Sequence, residues 1–180
     1  MNKEADVLYL SATPIPRTYA LTIYGDLDLS QIKTKPNIRK EIKTKVVYEQ
    51  NIKEVLMAMY EELKLNHQIF VVSPLIMQND ELDLNSVIKL KEKLDIAFNK
   101  KVRIEILHGK LKQKEKDELM KEFQRGKIKI LISTTVIEVW IDVPNATMMV
   151  IFDAERFGLS ALHQLRGRVG RNNLQSYCIL

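Results

Sequence analysis

Short apolar runs rich in β-branched residues alternate with longer amphipathic stretches along most of the chain. The apolar runs are near-continuous rather than alternating, which is typical of parallel strands that are covered on both faces. They predict seven strands, over residues 7–10, 43–47, 68–73, 103–107, 128–133, 147–152 and 176–180.

The stretches between these runs have helical periodicity. In the first one, apolar residues recur at i, i+3 and i+4 spacing and form one stripe: Ile52, Val55, Leu56, Met59, Tyr60 and Leu63. The predicted helices span residues 51–65, about 85–99, 112–124 and 159–168. Strands that alternate with helices predict an α/β domain of three layers, α/β/α, with a mainly parallel sheet.

The first part of the chain departs from this pattern. One strand candidate, residues 7–10, leads into a long polar connection with prolines, and a single strand cannot form a core. We therefore expect residues 1–36 to be the end of a preceding domain plus a linker, and residues 37–180 to be one α/β domain. Because the last apolar pattern stops at Leu180 without a turn, we expect this domain to be truncated at its C-terminus.

Composition narrows the class of protein. The chain has 28 Lys and Arg against 23 Asp and Glu, a net charge of +5, and 46% hydrophobic residues, as in a globular protein that can bind nucleic acid. No apolar run approaches the roughly 20 residues of a membrane helix, so we expect a soluble, cytoplasmic protein. The single cysteine, Cys178, excludes an internal disulfide, and its apolar neighbours predict a buried position in a strand.

Open parallel sheets bind ligands beyond the carboxyl ends of their strands, so the residues after each strand are candidate site residues. The first such segment is Ser133, Thr134 and Thr135, where side-chain hydroxyls and successive backbone N–H groups can hold a phosphate. A Ser/Thr cap on a following helix is the structural alternative.

The second segment covers residues 160–171. If it is helical, Gln164, Arg168 and Arg171 lie on one face, where two guanidinium forks suit phosphate oxygens. The alternative is an ordinary basic helix. Gly167 and Gly170 lower helix stability, which is easier to understand where something approaches the backbone closely.

The third segment is His108, Gly109 and Lys110, followed by a lysine-rich helix whose charges are typical of a solvated face. His67 and His163 are predicted to be packing or surface residues, and no spacing indicates a metal site. The chain contains no G-x-x-x-x-G-K-[ST] loop and no strand that ends in paired acids, so it lacks half of an ATP site.

Taken together, these segments resemble the second RecA-like motor domain of superfamily 2 helicases, most closely the RecG-type DNA helicases, with Mfd-type translocases next. The residues that carry the resemblance run over nearly the whole chain. They are residues 10–18 and 24–28 (motif III and linker), 70–76 (motif IV), 107–109 (motif IVa), 133–146 (motif V) and 155–171 (motif VI).

The resemblance implies a nucleotide site shared with a first RecA-like domain of the same polypeptide, which would bind most of ATP and Mg²⁺. Arg168 and Arg171 would be arginine fingers that reach the γ-phosphate, and Gln164 would couple the nucleotide to domain closure. Asp142 would contact the ribose or bridge to motif VI. Ser11 and Thr13 would couple nucleotide state to domain movement.

The resemblance also implies contacts with a DNA strand, in a protein that remodels branched DNA in recombination and repair. Thr134 and Thr135 would hold a DNA phosphate, and Ser73, His108 and Gly109 are further candidates. Contacts of this kind position a strand without selecting its sequence.

One residue departs from the family pattern. Trp140 occupies a motif V position where the pattern has glycine, and an indole there predicts an obstructed cleft and weakened coupling to ATP. This departure favours the alternative hypothesis, a non-catalytic module that keeps a helicase-like fold for binding nucleic acid or protein.

Overall fold

The computed structural model describes residues 40–74, 80–134 and 143–180, with side chains from residue 84 onward in the helix that begins at Asp80. The predicted strand at residues 7–10 and the proposed domain boundary near residue 36 lie outside these ranges. Six strands are described: β1 (Lys43–Lys45), β2 (Gln68–Val72), β3 (Ile104–Leu107), β4 (Ile130–Ser133), β5 (Ala146–Ile151) and β6 (Tyr177–Ile179).

The six strands form one sheet in the order β1-β6-β5-β2-β4-β3. Every pairing among them is parallel; Phe70 of β2, for example, lies opposite Leu131 of β4 and Met149 of β5. The predicted parallel α/β class is confirmed. The residues that follow the strands therefore lie at one end of the sheet, the carboxyl end, and those that precede the strands lie at the other, the amino end.

Four helices connect the strands: α1 (Ile52–Lys64), α2 (Asp80–Ala97), α3 (Gln113–Gln124) and α4 (Leu159–Arg166). Buried residues of α1 and α2 pack on one face of the sheet, and buried residues of α3 and α4 pack on the other. The predicted three-layer arrangement is confirmed, with a core on each side of the sheet.

Strand β2 illustrates why its sequence is apolar at every position after Gln68. Ile69 and Val71 face the α1 and α2 layer, whereas Phe70 and Val72 face the α3 and α4 layer. Successive side chains of a strand point to opposite faces, so a strand covered on both faces must be apolar throughout. The Phe70 ring packs on Phe123 of α3 with 4.9 Å between ring centroids.

Polar groups close the amino end of β2. The fully buried side chain of Gln68 donates from Nε2 to the carbonyls of Phe123, at 2.5 Å, and Ile128, at 2.8 Å. The carbonyl of Phe123, near the end of α3, also accepts from the backbone N–H of Gly126 at 2.9 Å, so Gln68 is a further donor to it and ties the end of the helix to β2.

A second polar cluster lies beside it. The buried carboxylate of Glu62 accepts a hydrogen bond from the Thr147 hydroxyl, and its Oε2 lies 2.7 Å from His67 Nδ1. His67 is therefore a packing residue, as predicted.

Several element bounds differ from the predicted ones. Helix α2 begins at Asp80, five residues before the predicted start, and β1, β3, β4 and β6 are shorter than their apolar runs. Helix α4 ends at Arg166 instead of continuing to Arg168, and this difference changes the geometry of the site. Within residues 40–74, 80–134 and 143–180, no helix is both long enough and apolar enough to span a membrane.

Cys178 gives a direct test of how β6 is packed. The side chain is buried, as predicted, and desolvation raises the pKa of its thiol to about 11. Because the thiolate is the reactive form, we expect iodoacetamide at pH 8 to modify the native chain many times more slowly than the chain in denaturant. Mass spectrometry of timed samples measures this; equal rates would contradict the packing of β6.

Candidate functional site

Three predicted site segments meet at the carboxyl end of the sheet. Ser73, His108 and Thr134 follow β2, β3 and β4, which are consecutive in the sheet order β2-β4-β3. The backbone N–H of Ser73 donates to the carbonyl of Ser133 at 3.0 Å, which holds the ends of β2 and β4 together. The side chains of Ser73 and Thr134 are largely buried here.

The loop after β3 is held in place by α3. Lys116 Nζ donates to the carbonyl of Gly109 at 2.9 Å, and the N–H of Lys112 donates to Glu115 Oε2 at 2.8 Å at the start of the helix. Burial lowers the pKa of His108, and the nearby charges of Lys116 and Lys110 lower it further, against an opposing effect of Glu115. A lowered pKa indicates a neutral His108 near pH 7, beside a cationic surface.

Arg168 and Arg171 do not lie on a helix. Helix α4 ends at Arg166, and Gly170 adopts a positive φ of 72°, so the predicted helical face shared by Gln164, Arg168 and Arg171 is wrong. Gln164 lies on the last turn of α4, and the two arginines lie on the loop that follows. We call residues 167–172 the arginine loop.

Gly170 explains why the loop takes this shape. A Cβ atom built on Gly170 would lie 2.9 Å from Ile42 Cγ1 and 3.2 Å from Ile42 Cδ1. The close approach to the backbone that the two glycines suggested is therefore real at Gly170, where the side chain of Ile42 makes it.

The arginine loop lies at the amino end of the sheet. The side chain of Asn172 donates from Nδ2 to the carbonyl of Pro144, just before β5. Gln175 Nε2 donates to the carbonyl of Glu41, just before β1, at 2.9 Å. The expectation that every candidate segment lies beyond a carboxyl end is therefore wrong for the arginine pair, because α4 returns across the sheet before the loop begins.

The two groups of candidates are separated by the length of the strands. Strand β5 has six residues, and at about 3.3 Å per residue the two ends of the sheet are roughly 17 Å apart. Ser73, His108 and Thr134 lie at one end, and Arg168 and Arg171 lie at the other. One ligand therefore cannot bridge them unless it is an extended one.

The arginine pair has the chemistry of an anion site. Partial burial lowers the pKa of Arg168, and the charge of Arg171 lowers it further. Arg171 Nε donates weakly to the carbonyl of Gly167, at 3.4 Å. Two guanidiniums close enough to repel each other form a favourable site for a multiply charged anion, and their planar forks suit phosphate oxygens.

Some predicted residues lie outside the described ranges: Ser11, Thr13, Thr135, Trp140 and Asp142. The described residues on either side of residues 135–142 are Thr134, which lies at the carboxyl end of the sheet, and Val143, which lies at the amino end. The chain between them thus connects the two groups. Within the described part of the chain, no three His, Cys, Asp or Glu residues form a group that could hold a metal ion.

Our sequence analysis missed Asn172 and Gln175. Asn residues after a helix favour turns because the side chain hydrogen bonds to the nearby backbone, and Asn172 Oδ1 accepts from the N–H of Leu174 at 2.8 Å. That signal predicts a turn. The contact of Asn172 with Pro144 has no local signal, because the two residues are 28 positions apart.

The parallel α/β fold and the arginine loop indicate the class of protein to which the chain belongs. Residues 40–173 match the family model of the helicase conserved C-terminal domain. The chain belongs to this family, and the RecA-like class predicted from the motifs is confirmed.

Individual relatives refine the class. The chain is 50% identical over 175 residues to the ATP-dependent DNA helicase RecG of Streptococcus pneumoniae, covering 97% of this chain and 26% of the relative. It is 48% identical over 178 residues to RecG of Bacillus subtilis, a match that covers 99% of this chain and 26% of that relative. A structure of RecG bound to a three-way DNA junction aligns with a TM-score of 0.77 and 46% identity, covering 94% of this chain and 22% of that chain.

The resemblance to RecG-type helicases is thereby confirmed. The chain spans about a quarter of the length of the curated relatives that it matches.

Gly170 gives a test of the loop geometry. We expect Gly170→Ala to lower the free energy of unfolding by about 1–2 kcal/mol, because a residue with a Cβ pays that cost at positive φ and meets Ile42 besides. Gly109→Ala is the matched control, since its Cβ would meet nothing within 4 Å. Urea unfolding measures both. Equal midpoints for the two variants would contradict the positive φ at Gly170.

His108 gives a pH test. The unfolded chain binds a proton with the ordinary histidine pKa of about 6.5, and the folded chain binds it with a lower pKa. At a pH between these two pKa values, the unfolded chain binds more protons than the folded chain. The free energy of unfolding therefore falls as the pH falls.

We expect the urea midpoint of the wild type to drop more between pH 7.5 and 5.5 than that of His108→Asn. Because both proteins contain the other histidines, subtracting one drop from the other leaves the contribution of His108. The same drop in both proteins would contradict the lowered pKa of His108.

Proposed function

We propose that the chain is the second motor domain of an ATP-dependent DNA helicase or translocase of the RecG type, which remodels branched DNA in recombination and repair in the bacterial cytoplasm. The single observation that carries the proposal is the pair Arg168 and Arg171 on one loop at the amino end of the sheet. The family match and the RecG relatives support it.

In this proposal the amino end of the sheet faces the nucleotide. A first RecA-like domain of the same polypeptide binds most of ATP and its Mg²⁺, because the chain has no phosphate loop. Arg168 and Arg171 approach the γ-phosphate from the other side of the cleft and stabilise the negative charge that develops on its oxygens during transfer to water. In the same proposal, Gln164 couples the nucleotide to domain closure, and Asp142 has the role of contacting the ribose or bridging to motif VI.

The carboxyl end faces DNA. Thr134 and Thr135 hold a phosphate of the strand, with Ser73 and the His108-Gly109 backbone as further contacts. Lys110 and Lys116 add positive charge beside them, which attracts the strand without reading its sequence. The RecG structure that aligns with this chain contains a three-way DNA junction, so we propose a branched substrate for this protein as well.

The two ends together give a motor cycle. When ATP is bound, the arginines draw the second domain onto the first; after hydrolysis the domains separate. A strand held at the carboxyl end moves with the second domain, so each cycle displaces it. Ser11 and Thr13, in the segment that we propose joins the two domains, relay nucleotide state to this movement.

The test uses the longest natural protein that contains this chain. We expect DNA-stimulated ATPase, stronger with a three-way junction than with linear duplex, and we expect Arg168→Ala to lower kcat about 1,000-fold, the order of effect known for arginine fingers. Arg125→Ala, which removes an exposed guanidinium at the end of α3, is the control and should retain the wild-type rate.

Two results would contradict the proposal. If neither Arg168→Ala nor Arg125→Ala lowers the ATPase rate, Arg168 is not an arginine finger. A wild-type protein that binds junction DNA but hydrolyses no ATP would favour a non-catalytic binding module.

A further inference from the structure

A tight turn leads from the carboxyl end of β3 towards α3. The N–H of Leu111 donates to the carbonyl of His108 at 3.3 Å, which closes a β-turn with Gly109 and Lys110 at its centre. Neither central residue has a positive φ, which excludes turns of types II, I′ and II′ and is typical of type I. We call residues 108–111 the β3–α3 turn.

The first two carbonyls of the β3–α3 turn both have donors. The carbonyl of His108 accepts from Leu111, and the carbonyl of Gly109 accepts from Lys116 Nζ, on the first turn of α3, at 2.9 Å. The C=O and the N–H of a trans peptide point in opposite directions. The bond from Lys116 therefore directs the N–H of Lys110 away from the ammonium group.

The N–H groups of the same turn have no such partners. Among the residues that the structure describes, no atom accepts from the N–H of Gly109 or of Lys110. The space beside them is open, since both residues are exposed and a Cβ built on Gly109 would meet nothing within 4 Å. Successive N–H groups that share a direction can bind an anion. The turn therefore presents donors, with its nearby acceptors already occupied.

The charges around the turn also favour an anion. Burial lowers the pKa of His108 most, and the charges of Lys116 and Lys110 lower it next, so both ammonium groups lie near this ring. The nearby carboxylate of Glu115 already accepts from the N–H of Lys112, at 2.8 Å. The surroundings of the turn are therefore cationic.

A flip of the peptide between Gly109 and Lys110 would reverse this polarity. The carbonyl oxygen of Gly109 would then take the place of the N–H of Lys110 and would repel a phosphate. Two features oppose the flip: it requires a positive φ at Lys110, which is unfavourable for a residue with a Cβ, and it breaks the bond from Lys116. Lys116 thus selects the orientation that suits an anion.

We propose that Lys116 is a positioning residue that holds the Gly109 carbonyl, so that the N–H groups of Gly109 and Lys110 face a phosphate of the bound DNA strand. This inference deepens the proposed function and rests on it, because that function brings the strand to the carboxyl end of the sheet. There Lys116 contributes only its charge; here it fixes the direction of a backbone peptide.

The test variant is Lys116→Met in the longest natural protein that contains this chain. Methionine favours helices as lysine does but cannot donate to the carbonyl of Gly109. The matched control is Lys110→Met, which removes the same charge from the surroundings of His108 and leaves the backbone bonds of the turn in place. Lys116→Arg is the conservative variant, because arginine keeps both the charge and N–H donors.

The measurement is the dissociation constant for three-way junction DNA at 50 mM and 200 mM salt. We expect Lys110→Met to weaken binding less than threefold at 200 mM, and its loss should be about threefold smaller there than at 50 mM, because it removes one counterion-releasing contact. Lys116→Met should still bind about tenfold more weakly than the wild type at 200 mM, the effect of one hydrogen bond to a charged group. Lys116→Arg should remain within twofold of the wild type.

A second pair of variants tests the N–H groups directly. Gly109→Pro removes one N–H, and proline suits the second position of a type I turn. Gly109→Ala keeps the N–H, and its Cβ meets nothing. We expect Gly109→Pro to bind the junction about tenfold more weakly than Gly109→Ala at 200 mM salt, with an unchanged melting temperature.

Three results would overturn the inference. The first is equal binding by Lys116→Met and Lys110→Met at 200 mM salt, which would mean that Lys116 acts through its charge alone. The second is a Lys116→Arg variant that binds as weakly as Lys116→Met. The third is equal binding by Gly109→Pro and Gly109→Ala, and this pair decides the matter if Lys116→Met lowers the melting temperature.

The outcomes separate this inference from the proposed function. A wild-type protein that does not bind three-way junction DNA contradicts the proposed function and the inference with it. A protein whose DNA-stimulated ATPase depends on Arg168, but whose affinity for the junction does not depend on Lys116, contradicts only the inference.

Discussion

The burial of both faces of a parallel sheet is the constraint on which the rest of this structure depends. Parallel neighbours require every connection to return across a face of the sheet, and the helices that make these returns cover strands such as β2, whose side chains are apolar in both directions. These returning connections also bring different polar residues to the two ends of the sheet. Ser73, His108 and Thr134 meet at one end because their strands are neighbours, and the arginine loop is delivered to the other by α4.

The arginine pair concentrates positive charge on one loop. Arg168 is partly buried and close to Arg171, and both effects lower its pKa, although an arginine remains charged at neutral pH. The repulsion is tolerated because the loop is shaped by other contacts: the left-handed Gly170 against Ile42 and the amide of Asn172 on Pro144. Groups that carry no charge, Gly170 and the amide of Asn172, thus help to fix the geometry of the loop.

The sequence by itself determined the fold class and the residues that follow β2, β3 and β4. Both are local properties, since a run such as that of β2 has to be buried on both sides and the residue after a strand lies at its carboxyl end. The motif resemblance identified the family for the same reason, because each motif is a short run of neighbouring residues. Only the tertiary structure decided where the arginines lie. The periodicity of Gln164, Arg168 and Arg171 is helical, yet α4 ends at Arg166, and four residues later Gly170 packs in a left-handed conformation against Ile42, a residue more than a hundred positions earlier. Asn172 likewise reaches Pro144 through the order of the strands, which no local pattern encodes.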